Sequence, residues 1–409
     1  MNKLLNSICI LISSTAFGLT VNVADYGANG SDRKDDTFAF QRAADVLASN
    51  GGGIMEIPRG VYLISKVKFL TKKYSNISIY GNGSTIEQFF PRQRKLIERW
   101  NTFSDVNAAD GCFLFDAQVS KQFDDTHSIK NILLDDLHFV SDVEKLKFDE
   151  LSHQISAHGV SNFVVQNCTF TGFLGDGISI NAGTDFTKNY GAYNKNVTIR
   201  NCNFDGINRE NRQGISFYYC DGFLVENCSF KNITREDMPG AIDVEPMDNW
   251  QVARNGIIRN CSFENIGGIA AVVIFLMPES PEIKTKSNVG YIIENCSFKD
   301  VRAPLAVIGH DAFLRYTETD PRVIFRKSTV QNYVRAIDSR KAYNVLFDDI
   351  SYNIQKRNYL DLYGEPNIGG NIRFKGVSFD NYAADKGVTF GGNSRSIKFE
   401  NLTLKQKRN

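Results

Sequence analysis

One short phrase returns ten times between residues 129 and 404, and a chain built that way has to stack copies of one unit. The phrase is an apolar/polar alternation, usually an Asn, then Cys-x-Phe. It reads NILLDDLHF, NFVVQNCTF, NVTIRNCNF, GFLVENCSF, NGIIRNCSF and YIIENCSF, then decays through VIFRKSTV, NVLFDDISY, NIRFKGVSF and SIKFENLTL. Cys168, Cys202, Cys228, Cys261 and Cys296 share one column with Leu137, Ser328, Ile350, Val377 and Leu402, at spacings of 22 to 35 residues. A constant phrase with variable spacers marks a solenoid, whose insertions sit in turns while the phrase itself stacks.

The phrase resolves into strands. In NVTIRNCNF, Val197 and Ile199 alternate with Thr198 and Arg200, the pattern of a half-buried strand. Asn201 interrupts, and Cys202 and Phe204 resume inward positions. Asn tolerates left-handed backbone and suits a sharp corner. The stacked corners predict an Asn ladder of Asn167, Asn201, Asn227, Asn260 and Asn295. Their N-C-S/T triplets match glycosylation acceptors, but they belong to a repetitive structural column. A second alternating strand follows each Phe: GISIN at 177–181, GISFY at 214–218 and AIDVE at 241–245. Weaker versions are LAVIG at 305–309, AIDSR at 336–340, YLDLY at 359–363 and GVTFG at 387–391, with QISAH at 154–158 and CFLFD at 112–116 upstream. Three short strands per coil predict an all-β chain, a single-stranded parallel β-helix of about ten rungs. Ahead of it, Asp35-Asp36-Thr37 opens an amphipathic helix through Phe40, Ala43, Ala44 and Leu47, which Gly51-Gly52-Gly53 stops. That helix is expected to cap the open end of the stack.

Across 409 residues the formal charge is +1, so net electrostatics point to no nucleic-acid partner. Lys3 followed by the apolar Leu4–Phe17 stretch and Ala16-Phe17-Gly18 has the form of an export leader over residues 1–18, which implies a secreted or periplasmic protein. Residues 19–65 then form the cap and first strands, and 66–409 the β-helix. No later segment is long and apolar enough to span a bilayer. Export would favour disulfides. Five Cys in one inward column of strands about 4.8 Å apart instead favour free, buried thiols. Cys220 lies just outside that ladder and Cys112 before it.

Val23–Ser65 resembles the N-terminal signature of the pectate-lyase-like, right-handed parallel β-helix superfamily. The matching residues are Asp25, Gly27, Ala28, Gly30, Asp35, Asp36, Thr37, Ala39, Gln41, Ala43, Pro58, Gly60 and Tyr62. The resemblance implies a right-handed β-helix and, in most relatives, action on polysaccharides by hydrolases, lyases or epimerases; tailspikes and non-catalytic proteins share the fold. Sharper motifs are missing. Gly175-Asp176-Gly177 and Ala157-His158-Gly159 stand in the reverse of the polygalacturonase order and without its other parts. The alginate-epimerase D-P-H-D motif and a pectate-lyase calcium cluster are absent, so no catalytic residue carries over.

Candidate chemistry comes from the strand frame. With Ile178 and Ile180 inward, Ser179 and Asn181 face out. Stacking then gives one outward column of Ser156, Ser179, Ser216, Asp243, Ala306, Asp338, Asp361 and Thr389. A second holds Asp116, His158, Asn181, Tyr218, Glu245, Arg340 and Tyr363. The resemblance implies that this face binds glycans, flanked by long turns at roughly 182–195, 246–255, 275–288 and 309–321. Asp243 and Glu245, two apart on one strand, face the same side with Cα atoms about 6.5–7 Å apart. Their repulsion should raise one pKa and leave an acid and a base, at a separation that leaves room for a water as in inverting glycosidases. Two solvated acids, or partners for Arg212, Arg235 or Arg254, are the plainer alternative. Asp176 is a third carboxylate candidate. His158, Asn181, Arg212, Tyr218, His310, Asp338, Arg340 and Tyr363 are candidate substrate-binding residues. His310 is followed by Asp311, and Tyr219 and Trp250 are further aromatics near this face.

These residues support three expectations. The first is a glycoside hydrolase acting through Asp243 and Glu245 with Asp176, using no cofactor or metal. The second is a polysaccharide lyase or uronate epimerase in which His158 or Tyr218 takes a proton, Arg212 or Arg340 neutralises a carboxylate, and calcium is possible. The third is a non-catalytic polysaccharide-binding or exopolysaccharide-assembly protein.

Overall fold

Each repeat turns at a residue in left-handed backbone, an asparagine in six of the ten and Asp136, Lys327, Asp349 and Gly376 in the others. Asn167, Asn201, Asn227, Asn260 and Asn295 all adopt left-handed backbone, with φ of 54–55°. Their amides form the expected ladder: Asn201 Nδ2 donates to Asn167 Oδ1 at 3.2 Å, Asn227 to Asn201 at 3.3 Å and Asn260 to Asn227 at 3.2 Å. Two further corners use the same device. Asn131, Asn162 and Asn196 stack at the start of the phrase, and Asn265 donates to Asn232 at the end of it.

The computed structural model of the protein describes residues 18–90, 95–97, 102–104, 111–118, 126–181, 194–207, 210–246, 253–276, 290–309, 321–353, 360–364, 370–382, 388–390 and 397–406. Among these, parallel strands stack into an 11-stranded sheet and a 21-stranded sheet that turns at the Asn corners to form two faces. The strand Ile129–Val140 runs through that corner, pairing with Val160–Gln166 before it and Thr169–Thr171 after it. The result is a right-handed parallel β-helix with three strands per coil. No described helix is long and apolar enough to cross a membrane.

The phrase column is the core. Leu137, the five Cys, Ser328, Ile350 and Val377 are all buried, and Ser84 pairs with Leu137 as an unread earlier copy. Phe139, Phe170, Phe204, Phe230, Phe263 and Phe298 stack face to face, with centroids 4.7–5.2 Å apart. All seven described Cys are free and buried, and burial pushes the Cys202 thiol up. The thiols thus act as small apolar residues, with Cys202 Sγ donating to the Arg200 carbonyl at 3.2 Å.

The capping helix spans Thr37–Ser49 and buries Ala39, Phe40, Ala43, Ala44 and Leu47 on the first rung. The signature residues hold it there. Asp36 Oδ1 accepts from the Asn29 amide at 2.8 Å, and Tyr62 donates to the Pro58 carbonyl at 2.6 Å. A Cβ on Gly30 would lie 2.7 Å from the Gly60 Cα, so the two loops meet only as glycines.

The Asn corner predicts its own energetics. Asn227→Ala loses the amide ladder and forces Ala into left-handed backbone, so it is expected to lower unfolding stability by about 1–3 kcal/mol. Asn227→Gly should lose less, because only the ladder goes. Chemical denaturation of both variants reads the difference.

Candidate active site

The 11-stranded sheet turns the candidate residues to one side. Register is continuous from Ser156 to Ser179, Ser216, Asp243, Val273, Ala306 and Asp338. The second column follows beside it. His158 pairs with Asn181, while Tyr218 and Glu245 continue the frame by donating their amides to the Ile180 and Phe217 carbonyls at 2.9 and 3.0 Å. Phe275, Ile308 and Arg340 complete it.

Two parts of the expected columns differ. The strand Val272–Phe275 belongs to this sheet and inserts Val273 and Phe275, because its all-apolar AVVIF run hides the alternation. Tyr363 pairs with Asp338, not Arg340, so Asp361 drops out of line with Asp338 while still pairing with Thr389. A two-residue slip preserves which face each side chain takes, so the period alone cannot register it. The side chain of Tyr363, the residues His310, Asp311 and Trp250, and most of the four long turns lie outside the described residues.

The outward face is not a row of solvated groups. Ser156, Ser179, Ser216, Asp176 and Asp243 are at most 1% exposed, and His158, Tyr218 and Tyr219 are buried as well. Arg212 organises the cluster. Its Nη1 donates to Asp176 Oδ1 at 3.1 Å and to the Tyr218 hydroxyl at 3.0 Å, and its Nη2 lies 3.3 Å from Glu150 Oε1. Ser216 Oγ donates to Asp176 Oδ2, the Asp176 amide donates to His153 Nδ1 at 2.9 Å, and Gln213 Nε2 donates to Asp243 Oδ2 at 3.2 Å. Burial works against the charge on Arg212, but Tyr218, Asp176 and Glu150 outweigh it and hold the guanidinium protonated well above its usual range. Burial likewise pushes the Tyr218 phenol up.

Asp243 carries the clearest perturbation. Burial first, then the nearby charge of Glu245, push the Asp243 carboxyl well above the usual carboxylate range. Its Oδ1 is buried with no hydrogen-bond partner among the described residues, while Glu245 is half-buried. One acid and one neighbouring carboxylate is the expected arrangement. Their side chains lie two residues apart at the end of one strand, on the same side of it. Among the described residues the nearby arginines form their ion pairs elsewhere: Arg212 with Asp176 and Glu150, Arg235 with Asp237 and Arg254 with Asp221.

Asp338 and Arg340 form a separate cluster. Buried Asp338 accepts from Arg335 Nη1 and Arg340 Nε, each at 3.0 Å. It lies three strand steps from Asp243, about 14 Å along the axis. An open groove of about 1270 Å³ runs past Lys231, Glu264, Arg302, Tyr333 and Arg335, and none of Asp176, Asp243 and Glu245 lines it.

Sequence reasoning missed Glu150, His153 and Gln213. They sit just before their strands, where His153, Asp176 and Gln213 fall in one register. Extending the strand frame two residues upstream would have found His153 and Gln213, whereas Glu150 lies in the turn before them.

The parallel β-helix, with the family match that follows, places the chain among carbohydrate-active proteins. The chain belongs to the rhamnogalacturonase A/epimerase, pectate lyase-like family, whose model matches residues 20–238. Its fold is similar to that of a hyperthermoactive exopolygalacturonase from Thermotoga maritima, at TM-score 0.62 and 14% identity over 95% of this chain and 92% of the other. It is also similar to the mannuronan C-5 epimerase AlgE4 A-module of Azotobacter vinelandii, at TM-score 0.57 and 13% identity over 94% and 97%. A GH87 α-1,3-glucanase catalytic unit from Streptomyces thermodiastaticus matches at TM-score 0.54 and 16% identity over 94% and 67%. No curated protein matches the chain by sequence.

The ion-pair cluster makes a stability prediction. Arg212→Met leaves Asp176 buried without its cation and is expected to cost about 3–5 kcal/mol. Adding Asp176→Asn should recover much of that loss, and urea denaturation of the single and double variants measures the coupling.

Proposed function

We propose that the protein is an exported glycoside hydrolase that cleaves a polysaccharide on the outward face of the 11-stranded sheet. The observation that carries this reading is Asp243. It is fully buried, burial and the adjacent Glu245 push its carboxyl well above the usual carboxylate range, and one oxygen has no hydrogen-bond partner among the described residues. Such a carboxyl is suited to deliver a proton to a glycosidic oxygen. Glu245, half-buried beside it, is the complementary base: it takes a proton from the attacking water, or carries negative charge against the developing positive charge of the sugar. Asp176 supports the pair through Ser216 and Arg212 and is a positioning residue in this scheme.

A lyase or epimerase would need Arg212 to neutralise a uronate and Tyr218 or His158 to remove a proton. Arg212 already engages Asp176, Glu150 and Tyr218, and burial holds the Tyr218 proton tightly. Those two facts favour hydrolysis.

The test is a panel of polygalacturonate, rhamnogalacturonan, mannuronan and α-1,3-glucan. Reducing ends should appear without the ultraviolet absorbance of unsaturated uronates. Asp243→Asn and Glu245→Gln should each lower kcat by about 100-fold or more. Activity should fall as pH rises through the raised Asp243 value, because the acid is lost there, and that alkaline limb should disappear from the residual activity of Asp243→Asn. Absorbance appearing with the new ends would identify a lyase, and full activity in both variants would remove the pair from the mechanism.

A further inference from the structure

The residues that follow Glu245 along its own column are apolar. Phe275 comes one strand on, Ile308 next, and Arg340 after that. In the neighbouring column Asp243 is followed by Val273 and Ala306 before Asp338. Ala270, Val273, Ala303 and Ala306 form an apolar cluster of their own, apart from the main core, with Ile269, Phe275 and Ile308 half-buried against it. The outward face is therefore divided into a polar floor at Ser179, Ser216 and Asp243, an apolar floor two strands wide, and a charged end at Asp338 and Arg340. An outward Phe and Ile do nothing for the solenoid core, and their partial exposure on a face otherwise given to buried polar groups calls for an occupant.

We propose that Phe275 and Ile308 form the floor of a sugar subsite that takes the C–H face of the pyranose next to the bond held at Asp243 and Glu245. This rests on the hydrolase reading above. Sugars present an apolar C–H face edged by hydroxyls, and binding sites meet them with an aromatic or aliphatic floor bounded by a few polar groups. The two strands span about 10 Å from Glu245. That length holds one ring and its linkage before the Arg340 guanidinium, which is about one-third exposed and can donate to the ring oxygens beyond. Phe275 and Ile308 are then specificity-determining residues, favouring a ring with an uninterrupted apolar face over one carrying a charged group there.

The experiment measures binding without turnover. In an Asp243→Asn background, oligosaccharides prepared from polygalacturonan, rhamnogalacturonan, mannuronan and α-1,3-glucan are titrated by calorimetry. For whichever probe binds, Phe275→Ala should raise Kd about tenfold and Ile308→Ala by a smaller factor. Phe275→Trp should retain binding and report it as a saturable change in tryptophan emission, a readout that needs only a folded protein. An unchanged Kd in Phe275→Ala, or emission of Phe275→Trp that ignores a probe the parent binds, would overturn the subsite while leaving the hydrolase standing. If the parent neither binds nor cleaves any of the four, the hydrolase reading falls and the subsite with it.

Discussion

Everything in this protein depends on one local backbone choice, the left-handed residue, most often asparagine, at each corner. A non-glycine residue at φ near 55° is disfavoured, and Asn tolerates it best because its side chain can bond nearby groups. Stacking then turns tolerance into attraction, since each corner amide donates to the corner beneath it. The corner fixes where one strand ends and the next begins, and so fixes which residues face inward in every coil. Cys and Phe follow from that geometry. They are the small and large inward residues flanking the corner, and their stacking is a consequence of registered Asn.

Register along the axis has a second guard on the solvent side. Asp135, Gln166, Arg200, Glu226, Arg259, Glu294, Arg326, Asp348, Lys375 and Glu400 form one column, and from Arg200 onward the sign of charge alternates at every step. Arg259 binds Glu226 at 2.7 Å and Arg326 binds Glu294 at 2.6 Å. Each pair is worth little alone, being partly solvated. Skipping one coil, however, would place like charges opposite each other at the faulty junction. The ladder therefore discriminates between registers more than it stabilises the right one.

The same regularity decides what could be read from the sequence. The corner, the core column, the capping helix and the placement of Asp243, Glu245, His158 and Tyr218 were legible, because periodicity and the Asn-Cys-x-Phe phrase both report facing. Three things escaped for physical reasons. Val272–Phe275 is apolar on both faces and so lacks alternation. Tyr363 slipped by two residues, which alternation cannot see. Arg212 choosing Asp176 and Glu150, and the burial that raises the Asp243 carboxyl, are settled in three dimensions, where spacing in the sequence does not report them.

Burial of that polar set is itself an argument about function. A solenoid satisfies its backbone through the ladders and needs no polar interior on its outer sheet. Yet the hydroxyls of Ser156 and Ser179, Asp243 Oδ1 and Gln213 Oε1 are buried without hydrogen-bond partners among the described residues, all on or beside one column. Each such atom costs about 1–3 kcal/mol relative to a satisfied or apolar replacement. Val273 and Ala306 on the same column demonstrate that the scaffold accepts the apolar replacement readily. Stability alone would have extended the apolar floor across Ser179, Ser216 and Asp243. Such a cost is tolerated where local rules are broken for function, and on the proposed reading these groups beside Asp243 serve the hydroxyl-rich edge of a sugar.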